Sequence, residues 1–195
     1  GIQVYSLYGV RKAPTPGQLV GIDMLLYDIQ DVGCRFYTFI WTLTYTIEVI
    51  SKAGVELVIF DRPNPLGRKV EGCPLNFDTG LVGRLLPGQT FTIPQRYGLT
   101  IGEFIRYVAP YLPQVKTTVV TMKQVYDLHD NEWVLSSPNM PTLETVRVYP
   151  GMGLIEGSSL SEGRGTTKPF EITGGPKISP VKVLSYFKRN NVPIF

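Results

Sequence analysis

Apolar and polar positions alternate between strand and helix patterns along the first third of the chain. Ile22 to Tyr27 and Val55 to Phe60 are nearly continuous apolar runs, which is typical of strands buried on both faces. Between them, Phe36 to Lys52 has the spacing of an amphipathic helix that stops before Gly54. A helix that joins two such strands implies a right-handed parallel crossover. The pattern therefore predicts an α/β fold, a Rossmann-like and mainly parallel sheet with flanking helices.

Weaker patterns predict further elements. Thr100 followed by Glu103 has the spacing of a capping box, so a helix is expected from Thr100 to about Tyr111. Short strands are predicted at Ile2 to Leu7, Thr90 to Ile93 and Lys116 to Met122, and short helices after Thr15, over Thr142 to Val148 and over Val181 to Arg189.

The regular alternation breaks down between Arg62 and Gly98, where proline and glycine are frequent. We interpret this stretch as an irregular excursion within one domain that covers residues 1–170. Residues 171–195 then begin a second domain, so the chain is expected to be part of a two-domain architecture. Both ends resemble cut ends, and we expect the chain to be a piece of a longer protein that is inactive or impaired by itself.

Composition excludes several classes of protein. Hydrophobic residues make up 43% of the 195 residues and charged residues only 18%, which argues against a disordered chain. The net charge of +3 is small and scattered, so no nucleic-acid partner is expected. The longest apolar stretch, Phe36 to Ile50, contains Glu48 and four threonines, and no membrane span is predicted.

The scarcity of histidine and cysteine limits the chemistry. His129 is the sequence's one histidine, and Cys34 and Cys73 are its two cysteines. This rules out a site with several histidines or a zinc cluster, while a disulfide between the cysteines stays open. An enzyme with this sequence would have to rely on carboxylates, arginine, tyrosine and asparagine.

Polar side chains follow the two buried strands at the point where each strand ends. Because ligands bind at the carboxyl ends of parallel strands, we expect these side chains to surround one crevice. The alternative, for any one of the acids, is that it caps a helix. The residues concerned are Asp28, Asp31, Arg35, Asp61, Arg62 and Asn64.

A second group of candidate residues lies between Leu154 and Thr167. Glu156 follows an apolar run, and partial burial there would suit a general acid. Arg164 stands between two glycines, with Glu162 just before them, an arrangement that lets backbone approach a ligand. A flexible surface loop, with Glu162 simply paired to Arg164, is the alternative.

Three further residues are weaker candidates. Arg96 precedes a capped helix, and Asn139 stands between two prolines that would hold it rigidly, in a ligand contact or in a turn. Tyr37 shares helical spacing with Trp41, which favours a place in the core over a sugar platform. Such a set of carboxylates, arginine, asparagine and tyrosine suits glycoside hydrolysis, in which two carboxyl groups flank the bond. It suits a carbohydrate-binding module equally well.

Several blocks of this sequence, in order, resemble the signature blocks of the exo-β-N-acetylmuramidases, glycoside hydrolase family 171. They cover nearly the whole chain, and any one of them alone would be weak. The blocks are Tyr5 to Gly9, Asp28 to Thr38, Asp61 to Pro65, Ser137 to Thr142, and Glu156-Gly157 with Ser161 to Thr166. Members of the family are longer, and their upstream Gly-Pro-Glu-His-Gly block has no counterpart here.

The resemblance implies a Rossmann-like domain joined to a smaller one, with the active site in the cleft between them. It implies removal of a non-reducing-end N-acetylmuramic acid from peptidoglycan fragments during cell-wall turnover, without a cofactor. Such substrates imply a secreted or periplasmic protein. The lactyl carboxylate of the sugar gives a reason for arginines in the pocket, through bidentate pairing. Arg164 is the first choice, and the other candidates are Arg35, Arg62 and Arg96.

On this basis we assign roles to the candidate residues. Glu156 or Glu162 would be the general acid, and Asp31 or Asp28 the second carboxylate or a ligand of a substrate hydroxyl. Asn64, Asn139, Tyr37 and the arginines would bind and orient the sugar. A non-catalytic peptidoglycan-sugar binder is the second hypothesis, and a serine or cysteine hydrolase that uses His129 is the third. The oligomeric state is not predicted.

Overall fold

The computed structural model of the protein describes residues 1–122 and 133–192. Its sheet has three strands, β1 (Met24–Tyr27), β2 (Glu56–Phe60) and β3 (Thr117–Val120), in the order β1-β2-β3. Both pairs are parallel, with Leu25 opposite Leu57 and Leu57 opposite Thr117. The predicted α/β class with a mainly parallel sheet is confirmed.

Within the described residues, four α-helices accompany the sheet: α1 (Phe39–Ala53), α2 (Ile101–Val108), α3 (Leu143–Met152) and α4 (Pro180–Arg189). Single 3-10 turns occur at Pro16–Leu19, Gly80–Val82, Ala109–Tyr111 and Gly153–Gly157. The capping box of α2 is present, since the Thr100 hydroxyl accepts from the Glu103 amide and the Glu103 carboxylate accepts from the Thr100 amide. Gly54 ends α1 in the left-handed conformation that glycine adopts without strain.

The main core lies on one face of the sheet, against α1 and α2. Trp41, Leu57, Ile59 and Phe104 are almost fully buried there, with the Trp41 and Phe104 rings packed edge to face. A second apolar cluster joins the turn before α1 to α3 and to the chain after residue 160. Its buried members are Val32, Cys34, Met140, Val146, Tyr149 and Phe170.

The prediction that β1 is buried on both faces is wrong. Its outward side chains Met24 and Leu26 are 48% and 56% exposed. Residues 2–7 also form no strand. They are mostly exposed, and no backbone hydrogen bonds attach them to the free edge of β1.

Most of the other predicted elements are found with shifted limits. The helix expected from Phe36 starts at Phe39, because residues 34–37 form a turn in which the Tyr37 amide donates to the Cys34 carbonyl. Nor is a strand formed at Thr90–Ile93, where Thr92 makes one backbone hydrogen bond, to Leu75. The division of the chain into domains at residue 170 stays a prediction.

Candidate functional site

An open cleft of about 710 Å³ lies beside the N-terminus of α1. Its walls come from the turn before α1, from the Ser137–Asn139 turn, and from the end of α3 with the 3-10 turn that follows. The lining residues are Tyr8, Phe36, Tyr37, Thr38, Phe39, Val82, Ser137, Pro138, Asn139, Tyr149, Gly153, Leu154, Glu156, Gly157 and Arg164. A volume in this range suits a small polar or drug-sized ligand.

Aromatic rings packed edge to face form the floor of the cleft. Tyr149 lies 5.1 Å from Phe36, 6.0 Å from Tyr37 and 4.8 Å from Phe170, as distances between ring centroids. Gly153 permits this arrangement, because a Cβ atom there would stand 2.5 Å from Cε2 of Phe36. Burial raises the pKa of Tyr149, and the nearby charge of Glu156 adds to the effect, so the phenol stays neutral.

One wall of the cleft carries an arginine shared by two carboxylates. Nη2 of Arg164 lies 2.9 Å from Glu156, and Nε lies 2.9 Å from Glu162. The Arg164 guanidinium also stands 5.1 Å from the Phe170 ring. Burial lowers the pKa of Arg164, but the charges of Glu156 and Glu162 outweigh it and the pKa is raised. The Glu156 side chain is 40% exposed and that of Glu162 only 13%, so Glu156 is the accessible acid of the two.

The Asn139 turn forms the opposite wall. The backbone amide of Asn139 donates to the Ser137 hydroxyl, and the Trp133 indole donates to the Met140 carbonyl. These bonds fix the turn between its two prolines. Asn139 lines the cleft and is accessible, which is the arrangement a hydrogen-bonding ligand needs.

The acids at the strand ends do not line this cleft. Asp28 pairs with Arg62 at 2.7 Å on the surface. Asp61 is buried and accepts from the Thr100 hydroxyl and the Gly102 amide, both at 2.8 Å, so it anchors the N-terminus of α2 to the end of β2. The helix-capping alternative is therefore correct for Asp61.

Asp31 lies behind the aromatic floor rather than on it. Its Oδ2 accepts from the Gly33 amide at 2.7 Å and from the Tyr97 hydroxyl. Burial raises its pKa to about 6, and the hydrogen bonds from Tyr97 and Gly33 lower it only in part. The adjoining cavity measures about 10 Å³ and is also lined by Arg62 and Asn64. Such a space is about the size of one water molecule and far too small for a sugar.

The remaining predicted ligands hold the excursion 62–98 together. Asn64 donates to the Leu99 carbonyl and accepts from the Leu66 amide, each at 2.9 Å. Arg35 donates at 2.8 Å to the carbonyls of Cys73 and Ile93. Arg96 pairs with Glu71 and donates to the Leu66 carbonyl.

The structure thus separates the strand-end group of candidate residues from Glu156 and Arg164, although the predicted roles bring both groups to one sugar. Asp28, Asp31, Arg62 and Asn64 are neighbours at the sheet edge, as expected. The residues that line the cleft include Tyr37, Asn139, Glu156 and Arg164. Glu162 does not line it but forms an ion pair with Arg164. Because Arg35, Arg96 and Asn64 are occupied by backbone carbonyls or by Glu71, their proposed contact with a ligand has no geometric support.

Tyr8, Phe36 and Tyr149 line the cleft but were not predicted as site residues. Tyr8 and Phe36 fall inside blocks that carry the family resemblance, which was an available signal. Tyr149 lay one residue beyond the predicted end of its helix. The apolar stripe of Val146 and Tyr149, three residues apart, would have extended that helix.

Cysteine and metal chemistry find no support. Cys34 and Cys73 are both free, and burial raises the pKa of the Cys34 thiol to about 12, which makes it a poor nucleophile. His129 lies outside the described residues. Residues 1–122 and 133–192 hold no cluster of three or more metal-ligating side chains. None of the helices described there is long and apolar enough to cross a membrane.

Fold and cleft together define an α/β protein in which an arginine, a carboxylate and aromatic rings line one open cleft. Sequence profiles described as "Exo-beta-N-acetylmuramidase NamZ", N-terminal and C-terminal, match residues 1–144 and 147–195. The chain belongs to this family, which confirms the resemblance of its blocks.

Comparisons with individual proteins agree with the family profiles. The peptidoglycan beta-N-acetylmuramidase NamZ of Bacillus subtilis (strain 168) is 45% identical over 190 residues, which are 94% of this chain and 45% of that protein. Two DUF1343 family proteins of Bacteroides fragilis have similar folds. The first has a TM-score of 0.79 at 31% identity over 97% of this chain and 50% of that one. The second has a TM-score of 0.70 at 32% identity over 85% of this chain and 47% of that one. The chain spans about half the length of the relatives it matches.

Proposed function

We propose that this chain carries the substrate cleft of a glycosidase that removes non-reducing-end N-acetylmuramic acid from peptidoglycan fragments. The observation that supports it most is the pair of Glu156 and Arg164 on the wall of an aromatic cleft, in a member of the exo-β-N-acetylmuramidase family. The B. subtilis relative is named as a peptidoglycan beta-N-acetylmuramidase.

Arg164 is the group we assign to the lactyl carboxylate of the sugar. Two of its nitrogens, Nη2 and Nε, face Glu156 and Glu162, and no described residue accepts a hydrogen bond from Nη1. The free edge of the guanidinium is therefore available to a carboxylate of the ligand.

Glu156 is the group we assign to protonation of the leaving oxygen. It is the accessible carboxylate of the cleft among the described residues, and it lies against Arg164. A bound lactyl carboxylate would compete for Arg164 and would place a second negative charge near Glu156. A general acid must reach the leaving oxygen, and an accessible carboxylate on the cleft wall can do so.

Binding and turnover measured in one sample test this proposal. Isothermal titration of the chain with the disaccharide N-acetylmuramyl-β-1,4-N-acetylglucosamine should give saturable binding, and release of N-acetylmuramic acid should be followed by chromatography. Glu156→Gln should retain binding and lose any release. Absence of binding by the unmodified chain would overturn the proposal, and so would undiminished release by Glu156→Gln.

A non-catalytic peptidoglycan-sugar binding module is the second candidate. It is favoured by one observation, that Glu156 is the single carboxylate lining the cleft within the described part of the chain, whereas glycoside hydrolysis uses two carboxyl groups. Binding without any release, in the same titration and in a preparation of the longest natural polypeptide, would favour this module over the enzyme.

We further propose a location outside the cytoplasmic membrane, secreted or periplasmic. The support is chemical, because peptidoglycan fragments with an intact N-acetylmuramic acid end are formed at the cell wall. Fractionation of producing cells, with an antibody against the chain, should find it in the medium or periplasm, and recovery only with cytoplasmic markers would contradict this.

A further inference from the structure

Tyr8 is an aromatic residue of the cleft that has no ring partner among the described residues. Phe36, Tyr37, Phe39 and Tyr149 each pack against another ring at centroid distances between 4.6 and 6.0 Å. Tyr8 also lines the cleft, but it is 74% exposed and makes no ring or cation contact within the described residues. Tyr8 thus offers a ring face that the described part of the protein leaves uncovered, at the edge of a cleft that a ligand could enter.

Local hydrogen bonds give the Tyr8 backbone a defined turn. The Tyr8 amide donates to the Ser6 hydroxyl at 3.3 Å, and that hydroxyl lies 3.4 Å from the Tyr8 carbonyl. The segment belongs to neither of the two walls that carry Asn139 and Arg164. Tyr8 therefore brings a third side to the cleft, from a part of the chain far away in sequence.

We propose that Tyr8 is a sugar platform at the mouth of the cleft, and that it holds the second sugar of the substrate, next to the N-acetylmuramic acid. This inference rests on the proposed function. Arg164 and the rings of the floor bind the terminal sugar, because that sugar carries the carboxylate. In an enzyme that acts on chain ends, the rest of the glycan must leave through the mouth of the cleft, where Tyr8 lies exposed.

Pyranose rings present apolar C–H faces to aromatic rings, and a tyrosine ring offers a large, rigid surface at low entropic cost. The cleft volume of about 710 Å³ exceeds what one pyranose ring requires, which leaves room for a second sugar between the floor and Tyr8. Tyr8 thus selects for a saccharide longer than one unit, while the recognition of the terminal sugar does not depend on it.

The test compares two ligands and three variants by isothermal titration. The ligands are N-acetylmuramic acid and N-acetylmuramyl-β-1,4-N-acetylglucosamine, and the variants are Tyr8→Ala, Tyr8→Phe and Tyr5→Ala. Tyr5 is the matched control, because it is an exposed tyrosine in the same segment but does not line the cleft. Exposed positions of this kind tolerate substitution, so all three variants should fold.

We expect Tyr8→Ala to weaken disaccharide binding about tenfold and to leave monosaccharide binding unchanged. Tyr8→Phe should retain binding, since the ring and not the hydroxyl carries the contact, and Tyr5→Ala should match the unmodified chain. If Tyr8→Ala binds the disaccharide as tightly as the unmodified chain does, or loses the same affinity for both ligands, the role of Tyr8 is overturned. The proposed function would not be affected by either result. Failure of the unmodified chain to bind either saccharide would instead overturn the proposed function, and this inference with it.

Discussion

Acidic residues have different roles in two regions of this molecule. At the carboxyl ends of β1 and β2, Asp31 and Asp61 are buried and accept hydrogen bonds from the protein itself. On the cleft wall, Glu156 is partly exposed and its partner is the guanidinium of Arg164. The comparison teaches that an acid at the end of a parallel strand marks a ligand site only when its oxygens remain accessible.

The largest expected effect concerns the anchor of α2. Asp61→Ala removes the acceptor of the Thr100 hydroxyl and of the Gly102 amide, and it leaves both donors without their partner. We expect a loss of about 4 kcal/mol in the free energy of unfolding, because bonds to a buried charged acceptor are strong and unmet donors are costly. Chemical denaturation monitored by circular dichroism measures it.

Asp28→Ala is the matched control at the same sheet edge, since its pair with Arg62 is largely solvated. We expect a cost of about 1 kcal/mol or less. If both variants lose the same stability, Asp61 does not have the structural role assigned here.

The free energy of unfolding is expected to depend on pH through Asp31, by about 3 kcal/mol. Its pKa is about 6 in the folded protein against an ordinary value of 3.8, so the folded state favours the protonated carboxyl. The stability that this gives is fully present below pH 3.8 and is lost as pH rises through about 6, by about 3 kcal/mol in all.

Asp31→Asn has no such titration, so the gap between its unfolding free energy and that of the unmodified protein should change between pH 4 and pH 7. Urea unfolding across that range, with Asp28→Asn as the exposed control, measures it. Parallel curves for the unmodified protein and Asp31→Asn would show that the burial of Asp31 has no such consequence.

A smaller effect is expected where the cleft depends on close packing. Gly153→Ala places a methyl group 2.5 Å from Phe36, and the aromatic floor must shift to admit it. We expect a cost of about 2 kcal/mol and weaker saccharide binding. Gly151→Ala is the control, because a Cβ atom there has nothing within 4 Å; an equal loss in both variants would mean that the helix and not the cleft is sensitive.

The smallest effect on stability is expected at the cleft wall itself. Glu156→Gln removes a solvated ion pair, so the free energy of unfolding should change by about 0.5 kcal/mol or less, even though release of sugar is lost. A thermal melt beside the release assay checks both. A large loss of stability would place Glu156 with the buried acids and remove the contrast drawn above.

Local patterns were enough to predict the elements that position the site. The capping box of Thr100 and Glu103 depends on residues three apart, and the crossover from β1 through α1 to β2 follows from two apolar runs and the helix between them. The class of the fold and the start of α2 were therefore predicted from the sequence.

Long-range partners could not be predicted in the same way. Nothing near Asp61 in the sequence shows that its oxygens face an amide 41 positions away, at Gly102. Asn64 and Arg35 are likewise occupied by carbonyls 35 to 58 residues away. The exposed face of β1 depends on what packs against the sheet, and an apolar run does not reveal that.

The most direct test of the account is a comparison of two sugars that differ in the lactyl group. Titration of the chain with N-acetylmuramic acid and with N-acetylglucosamine should show a preference for the former of about tenfold or more, because of the charge-assisted bond to Arg164. Arg164→Ala should abolish that preference, and Arg62→Ala should not. Equal affinity for the two sugars, or a preference that survives Arg164→Ala, would contradict the assignment of this cleft to the anionic sugar.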